Sequence, residues 1–213
     1  MYAVNRGSEK STGYGGGMTL DKLVLATHNR GKLVEIQDLL APYGAHVVSA
    51  ADLALPVPEE SEESFEGNAL IKARAACCAS GLPALADDSG LCVNALGGAP
   101  GVHTAEWGGV ERDSKRSMLR IHTEMGDTPD RSAYFVAVLA LVYPDGREEI
   151  FEGRCDGHLV WPLRGENGFG HDPMFVPLGE NRTFAEMTSA EKKAYSHRAR
   201  AFKKLIEQVF CPE

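Results

Sequence analysis

The sequence predicts an α/β protein built on a mixed β-sheet, and three observations carry that expectation. Strand-like and helix-like segments alternate in the first half of the chain, two β-rich runs meet at a tight turn in the second half, and the C-terminal stretch is helical. With 213 residues, 43% of them hydrophobic, the chain is long enough to bury a substantial core as one domain.

The elements follow in order. Lys22 to Thr27 (KLVLAT) reads as a short buried strand. Lys32 to Leu40 places Leu33, Ile36, Leu39 and Leu40 at helical spacing before Gly44. Val47 and Val48 mark a second strand, and an acidic, proline-containing loop leads to an alanine-rich helix from Phe65 to Ser80, stopped by Gly81 and Pro83. A strand at Ala84 to Asp87 is expected to end in Asp-Asp-Ser-Gly. The glycines and proline from Gly97 to Gly101 imply a loop, and Asp113 to Met125 a helix. Tyr134 to Tyr143 and Glu148 to Val160 flank Pro144-Asp145-Gly146, the turn chemistry of a hairpin. Thr188 and Glu191 have the spacing of a capping box for a helix starting near Ser189. Residues 1–17, rich in Gly and Ser, read as a flexible leader to a single domain over 18–213.

Composition excludes several function classes. A formal charge of −8 argues against a nucleic-acid polymer as partner, since such binding draws on clustered Lys and Arg. Five cysteines without a C-x-x-C pair suggest neither a disulfide framework nor a zinc site. The sequence has no apolar run long enough to span a membrane and no signal-peptide core, so a cytoplasmic location is expected.

Four segments carry candidate chemistry. Thr27-His28-Asn29-Arg30-Gly31-Lys32 lies where a strand gives way to a helix, and its free amides, polar side chains and two cations suit an anion. Asp87 and Asp88 follow an apolar strand; one, with an acid from the Glu59, Glu60, Glu62, Glu63 cluster, would satisfy the oxygen preference of Mg²⁺. Alternation across the pleat directs one carboxylate to a cleft and its neighbour away. Gly165 to Asp172 sets Phe169 and His171 among glycines, where an aromatic ring can stack on a base and Asp172 can read an edge. Finally, Lys192 and Arg198 would diverge on one continuous helix, so Ser196 is expected to cap a new one. That break puts His197 and Arg198 in its first turn, with Lys192 reaching in from the preceding segment. His28, His46, His103, His122 and His158 share no metal spacing and read as structural.

In order along the chain, T-x-N-x-x-K at Thr27 to Lys32, S-F-x-x-N-A at Ser64 to Ala69 and A-D-D-S-G-L at Ala86 to Leu91 are followed by G-G-x-P-G at Gly97 to Gly101, G-F-G-x-D-P at Gly168 to Pro173 and S-H-R at Ser196 to Arg198. This set, covering about Lys22 to Phe210, resembles the inosine triphosphate pyrophosphatases. The resemblance implies an elongated α/β fold with a cleft between two lobes, a homodimer, and Mg²⁺-dependent hydrolysis of ITP, dITP or XTP to the monophosphate and pyrophosphate. It further implies Asp88 as proton acceptor and metal ligand, Glu59 or Glu60 as the second metal-side acid, and Thr27 to Lys32 as the phosphate-side loop. Ser89, Phe169, Gly170, His171, Asp172, Lys192, His197 and Arg198 match substrate contacts.

Three positions depart from that pattern. Gly67 stands where an acid is common, Glu106 where an arginine is, and His171 replaces a Tyr or Trp, bringing a group that ordinarily titrates near neutrality. Two rival readings stand beside the main one: a related pyrophosphatase acting on modified or pyrimidine triphosphates, and a purine nucleotide-binding regulator without turnover.

Overall fold

A computed structural model describes residues 22–27 and 30–211. The leader at 1–17 and the pair His28 and Asn29 lie outside the described residues. Six strands form one mixed sheet in the order β2-β1-β3-β4-β5-β6. They are β1 (Lys22–Leu25), β2 (His46–Ser49), β3 (Ala84–Val93), β4 (Ser132–Val142), β5 (Glu148–Leu159) and β6 (Phe175–Pro177). The β1 strand runs parallel to β2 and β3, and the remaining pairs are antiparallel. The five α-helices among the described residues are α1 (Arg30–Leu40), α2 (Phe65–Ser80), α3 (Ser114–Met125), α4 (Ser189–Tyr195) and α5 (His197–Leu205).

Strand β4 shows why the sheet is covered on both faces. Its run Phe135-Val-Ala-Val-Leu-Ala-Leu-Val142 is apolar without alternation, as a doubly buried strand must be. Ala137, Leu139 and Leu141 pack with Ile36 and Leu40 of α1 and Phe202 and Leu205 of α5. Val136, Val138, Ala140 and Val142 pack with Ala69, Ala73 and Ala76 of α2 on the other face. A third apolar cluster, with Met118 and Ile121 of α3, Phe175 and Phe184, fills the far end of the sheet. These two ends are the lobes that flank the cavity. By contrast β5 alternates buried Phe151, Gly153 and Cys155 with exposed Glu152, Arg154 and Asp156, so its outer face meets solvent. Gly153 is required because a Cβ there would collide with the His197 carbonyl and the Ala201 amide. That close approach seats the first turn of α5 on the sheet.

Local signals set most boundaries. Ser64 caps α2 through the Gly67 amide and Gly81 closes it at φ 67°. Asp113 caps α3, and Thr188 with Glu191 forms the expected capping box of α4. The helix break at Ser196 is present: its Oγ accepts from Ala199 N, starting α5 at His197. Most ends fall within two residues of expectation, and one differs by more. Strand β3 does not stop at Asp87 but continues to Val93, because Leu91 and Val93 are buried apolar positions paired with Phe135 and Ala133 of β4. Gly90 serves close approach to the Gly101 carbonyl, not a turn.

Candidate active site

The extension of β3 explains where the site lies. Strand β1 pairs with β3 only at Ala84 and Leu85, and Thr104 and Pro100 cover that edge again from Leu91 onward. Between them Asp87, Asp88 and Ser89 border a cavity of about 800 Å³.

The two aspartates point to opposite faces, as the pleat dictates, and meet opposite surroundings. The Asp87 side chain is fully buried on the α1 and α5 face. Arg198 Nε donates to its Oδ2 at 3.0 Å, Lys32 of α1 forms an ion pair with it, and Ser89 Oγ donates to Oδ1 at 3.2 Å. Burial alone would raise its pKa, but Arg198 and Lys32 outweigh burial and hold it far below the usual carboxylate range. Arg198 also donates to Ser89 Oγ at 2.9 Å. On the α2 face, Asp88 Oδ1 accepts from Lys72 Nζ at 2.7 Å, and Lys72 reaches Glu60 Oε2 at 3.2 Å. Asp88 Oδ2 is buried without a hydrogen bond. Here burial prevails over Lys72 and pushes Asp88 up to about 6. Burial opposes the Lys72 charge too, but Asp88 and Glu60 more than compensate and raise its pKa.

The acidic loop is held by Asn68, whose side chain accepts from Glu62 N and donates to Glu62 O, both at 3.0 Å. That clasp accounts for the asparagine of S-F-x-x-N-A. Gly67 lets the loop lie close, since a Cβ would meet the Glu62 side chain. Glu59 and Glu60 line the cavity from exposed positions.

At the other end, Asp172 Oδ2 accepts from Phe169 N at 2.9 Å and from Lys192 Nζ at 2.7 Å, and Lys192 sits 4.6 Å from the Phe169 ring centre. Asp172 therefore organises the loop with that oxygen instead of offering it to a ligand edge. His197 stacks on Phe135 at 4.8 Å, and its Nδ1 is buried without a partner. Burial, then the Arg198 charge, lowers its pKa well below the usual value. His171 contacts Ser117 Oγ through Nε2 at 2.8 Å. Burial lowers its pKa to about 4, so it is neutral at pH 7 and the expected titration near neutrality is absent. Glu106 at the rim pairs with His103 Nδ1 at 2.9 Å.

Of the residues singled out in the sequence, Thr27, Lys32, Glu59, Glu60, Asp88, Ser89, Phe169, Gly170, His171, Asp172, Lys192, His197 and Arg198 all line this cavity. Arg30 and Gly31 open α1, with only their backbone described. Sequence reasoning missed Lys72 and Ser117, and the tie from Asp87 to Lys32 and Arg198. The signal for Lys72 was its position four residues after Asn68, on the same helix face.

An α/β fold whose sheet edge opens into a cavity lined by both carboxylates and cations, with Asp88, Lys32, Lys72, Lys192 and Arg198 among them, defines a protein with a charged ligand-binding cleft. The model of the Ham1 family matches residues 23–208, and the chain belongs to that family. A dITP/XTP pyrophosphatase of Gluconobacter oxydans is 61% identical over 180 residues, 84% of this chain and 86% of that relative. One from Ruegeria pomeroyi is 54% identical over 195 residues, covering 89% and 96%. The solved HAM1 protein from Coxiella burnetii superposes with a TM-score of 0.80 at 39% identity, covering 86% of this chain and 95% of that one.

Proposed function

We propose that this protein hydrolyses the noncanonical purine triphosphates ITP, dITP and XTP to the monophosphate and pyrophosphate. The observation that carries the reading is Asp88: a buried carboxylate with one unpartnered oxygen and a raised pKa, facing a cavity that Lys32, Lys72, Lys192 and Arg198 also line. A carboxylate so placed accepts a proton from attacking water, and the cations stabilise charge developing on the departing pyrophosphate. The names of the relatives support the substrate class.

The donor set suits a divalent cation, Mg²⁺ on this reading. Asp88 Oδ2 lacks a partner, and Glu60 or Glu59, on the same cavity wall, would supply a second oxygen ligand. Among the described residues no three His, Cys, Asp or Glu side chains cluster, so substrate phosphates and water would complete the shell, as is usual for Mg²⁺. When bound, the ion supplies Lewis-acid polarisation of the phosphates. At the base end, Phe169 is half-exposed for stacking while Lys192 and Asp172 fix its loop. His28, Asn29, Arg30 and Gly31 are assigned to phosphate binding in this reading.

The resemblance also implies a homodimer, and five cysteines without a disulfide framework fit a reducing, cytoplasmic location. Among the described residues no helix is long and apolar enough to cross a membrane. Phosphorus NMR of the protein with Mg²⁺ and each of ITP, XTP, dITP, ATP, GTP and dTTP tests the central reading. Monophosphate and pyrophosphate from the first three are expected. Orthophosphate, or no turnover, sinks it and leaves the binding regulator.

A further inference from the structure

Two buried polar groups join the walls of the cavity at its base end. Ser117 projects from α3 and His171 from the loop before β6, and both border the cavity. Ser117 is 1% and His171 6% exposed, and Ser117 Oγ lies 2.8 Å from His171 Nε2. This is the sole side-chain hydrogen bond of either residue among the described residues.

The proton on that bond can be assigned by accounting for donors. A buried hydroxyl must give its hydrogen to an acceptor, because an unmade hydrogen bond carries its full desolvation penalty. Ser117 Oγ makes no bond to the backbone carbonyl one turn back, that of Asp113, which accepts from Ser117 N at 3.0 Å; its one side-chain contact among the described residues is His171 Nε2, which is left as the acceptor for the hydroxyl. A protonated Nε2 would instead donate to Ser117 Oγ, and the hydroxyl hydrogen would then be buried without an acceptor. The ring carries a single proton, since burial lowers its pKa to about 4. That proton therefore belongs on Nδ1.

We infer that Ser117 locks His171 in the Nδ1-protonated tautomer, so that His171 offers the base an N–H donor and selects a ring carbonyl over an exocyclic amine. His171 is then a specificity-determining residue and Ser117 a positioning residue acting through it. The inference rests on the proposed function, in which the purine lies beside Phe169. Inosine and xanthosine carry a 6-oxo group that accepts from such a donor, whereas the 6-amino group of adenosine presents a donor to a donor. Discrimination of this kind is set by unmet hydrogen bonds, and loss of one is worth roughly tenfold in relative kcat/KM.

Nitrogen-15 NMR of histidine-labelled protein at pH 7 reads the tautomer directly, without any turnover. A neutral His171 with its proton on Nδ1 is expected; a proton on Nε2 overturns the inference. The kcat/KM ratio of ITP to ATP is measured alongside. His171→Leu should lower it about tenfold, mainly through KM for ITP, and Ser117→Ala should lower it several-fold. His171→Asn, whose amide nitrogen stands near the Nδ1 position, should restore most of it. An unchanged ratio in folded His171→Leu and Ser117→Ala also overturns the inference. Failure of the unaltered protein to prefer ITP would instead sink the substrate reading, while the tautomer still decides the state of the pair.

Discussion

Asp87 and Asp88 are adjacent in sequence, both buried, and both border the same cavity, yet their pKa values move in opposite directions. Burial opposes ionisation in each. Asp87 receives two cations and a hydroxyl, from Lys32, Arg198 and Ser89; Asp88 has one close cation, Lys72, which it shares with Glu60. The number of partners, not depth, decides which carboxylate is a satisfied structural charge and which keeps the basicity to take a proton. On this view Asp87 holds α1, β3 and α5 together, while Asp88 is the proposed proton acceptor.

The largest expected effect separates the two roles. Asp88→Asn should lower turnover by about 10²–10⁴-fold with the melting temperature retained or raised, because the change removes a carboxylate whose burial is incompletely compensated. Asp87→Asn should act first on the fold. It leaves Arg198, 2% exposed, without its anion, and breaking a buried pair costs about 3–5 kcal/mol. Thermal melting would show a fall of roughly 10 °C or more for a chain of this size. The sign with pH follows. A depressed native pKa means that the Asp87 contribution is present above the unfolded value near about 4 and is lost as pH falls toward the native one, so the variant should show a shallower acid dependence of stability between pH 5 and about 2. A variant of Asp87 as stable as the parent, or an Asp88 variant that unfolds, would reverse the assignment.

Lys72→Met sharpens the comparison by removing the close cation on the α2 face. In the parent at fixed Mg²⁺, kcat/KM should fall on an acid limb as Asp88 takes up its proton, a limb lying below the value of about 6 that burial gives Asp88 without a bound cation. Without Lys72 the carboxylate is harder to ionise, and the limb should move up by about one pH unit. The measurement is a pH–rate profile at fixed Mg²⁺. A limb that does not move would mean that Asp88 is not the titrating group.

The sequence is most informative where structure is decided locally. The bounds of α2, the turn at Pro144 to Gly146 and the helix break at Ser196 were all legible, because a cap or a turn residue declares itself within a few positions. It is least informative where distant pairing prevails. Asp-Asp-Ser-Gly has the composition of a turn, but pairing with Leu139 to Val136 of β4, inside a ten-residue ladder, keeps it extended. Lys72 in an alanine-rich helix resembles an ordinary solvated lysine until β3 brings Asp88, sixteen residues on, to 2.7 Å. Alternation gave the right faces for Asp87 and Asp88 but not the open sheet edge that lets both border one cavity. The neutral state of His171 depends on burial contributed by α3, which no spacing within G-F-G-x-D-P reveals.

The smallest expected effect tests whether the Asp87 side can be loosened without touching Asp88. Arg198 reaches Asp87 from the first turn of α5, and that turn is fixed by Ser196, fully buried, whose Oγ accepts from Ala199 N at 3.3 Å. Ser196→Ala removes the cap acceptor and should cost about 1 kcal/mol, whereas Ser196→Gly should cost only a few tenths, since glycine tolerates the cap backbone. The Asp88 environment is built from α2 and the acidic loop, so at fixed Mg²⁺ the acid limb should stay where the parent has it in both variants while the alanine variant melts earlier. Coupled movement of limb and melting temperature would show that the two carboxylates share one rigid frame, and that the division between a structural and a chemical aspartate is drawn too sharply.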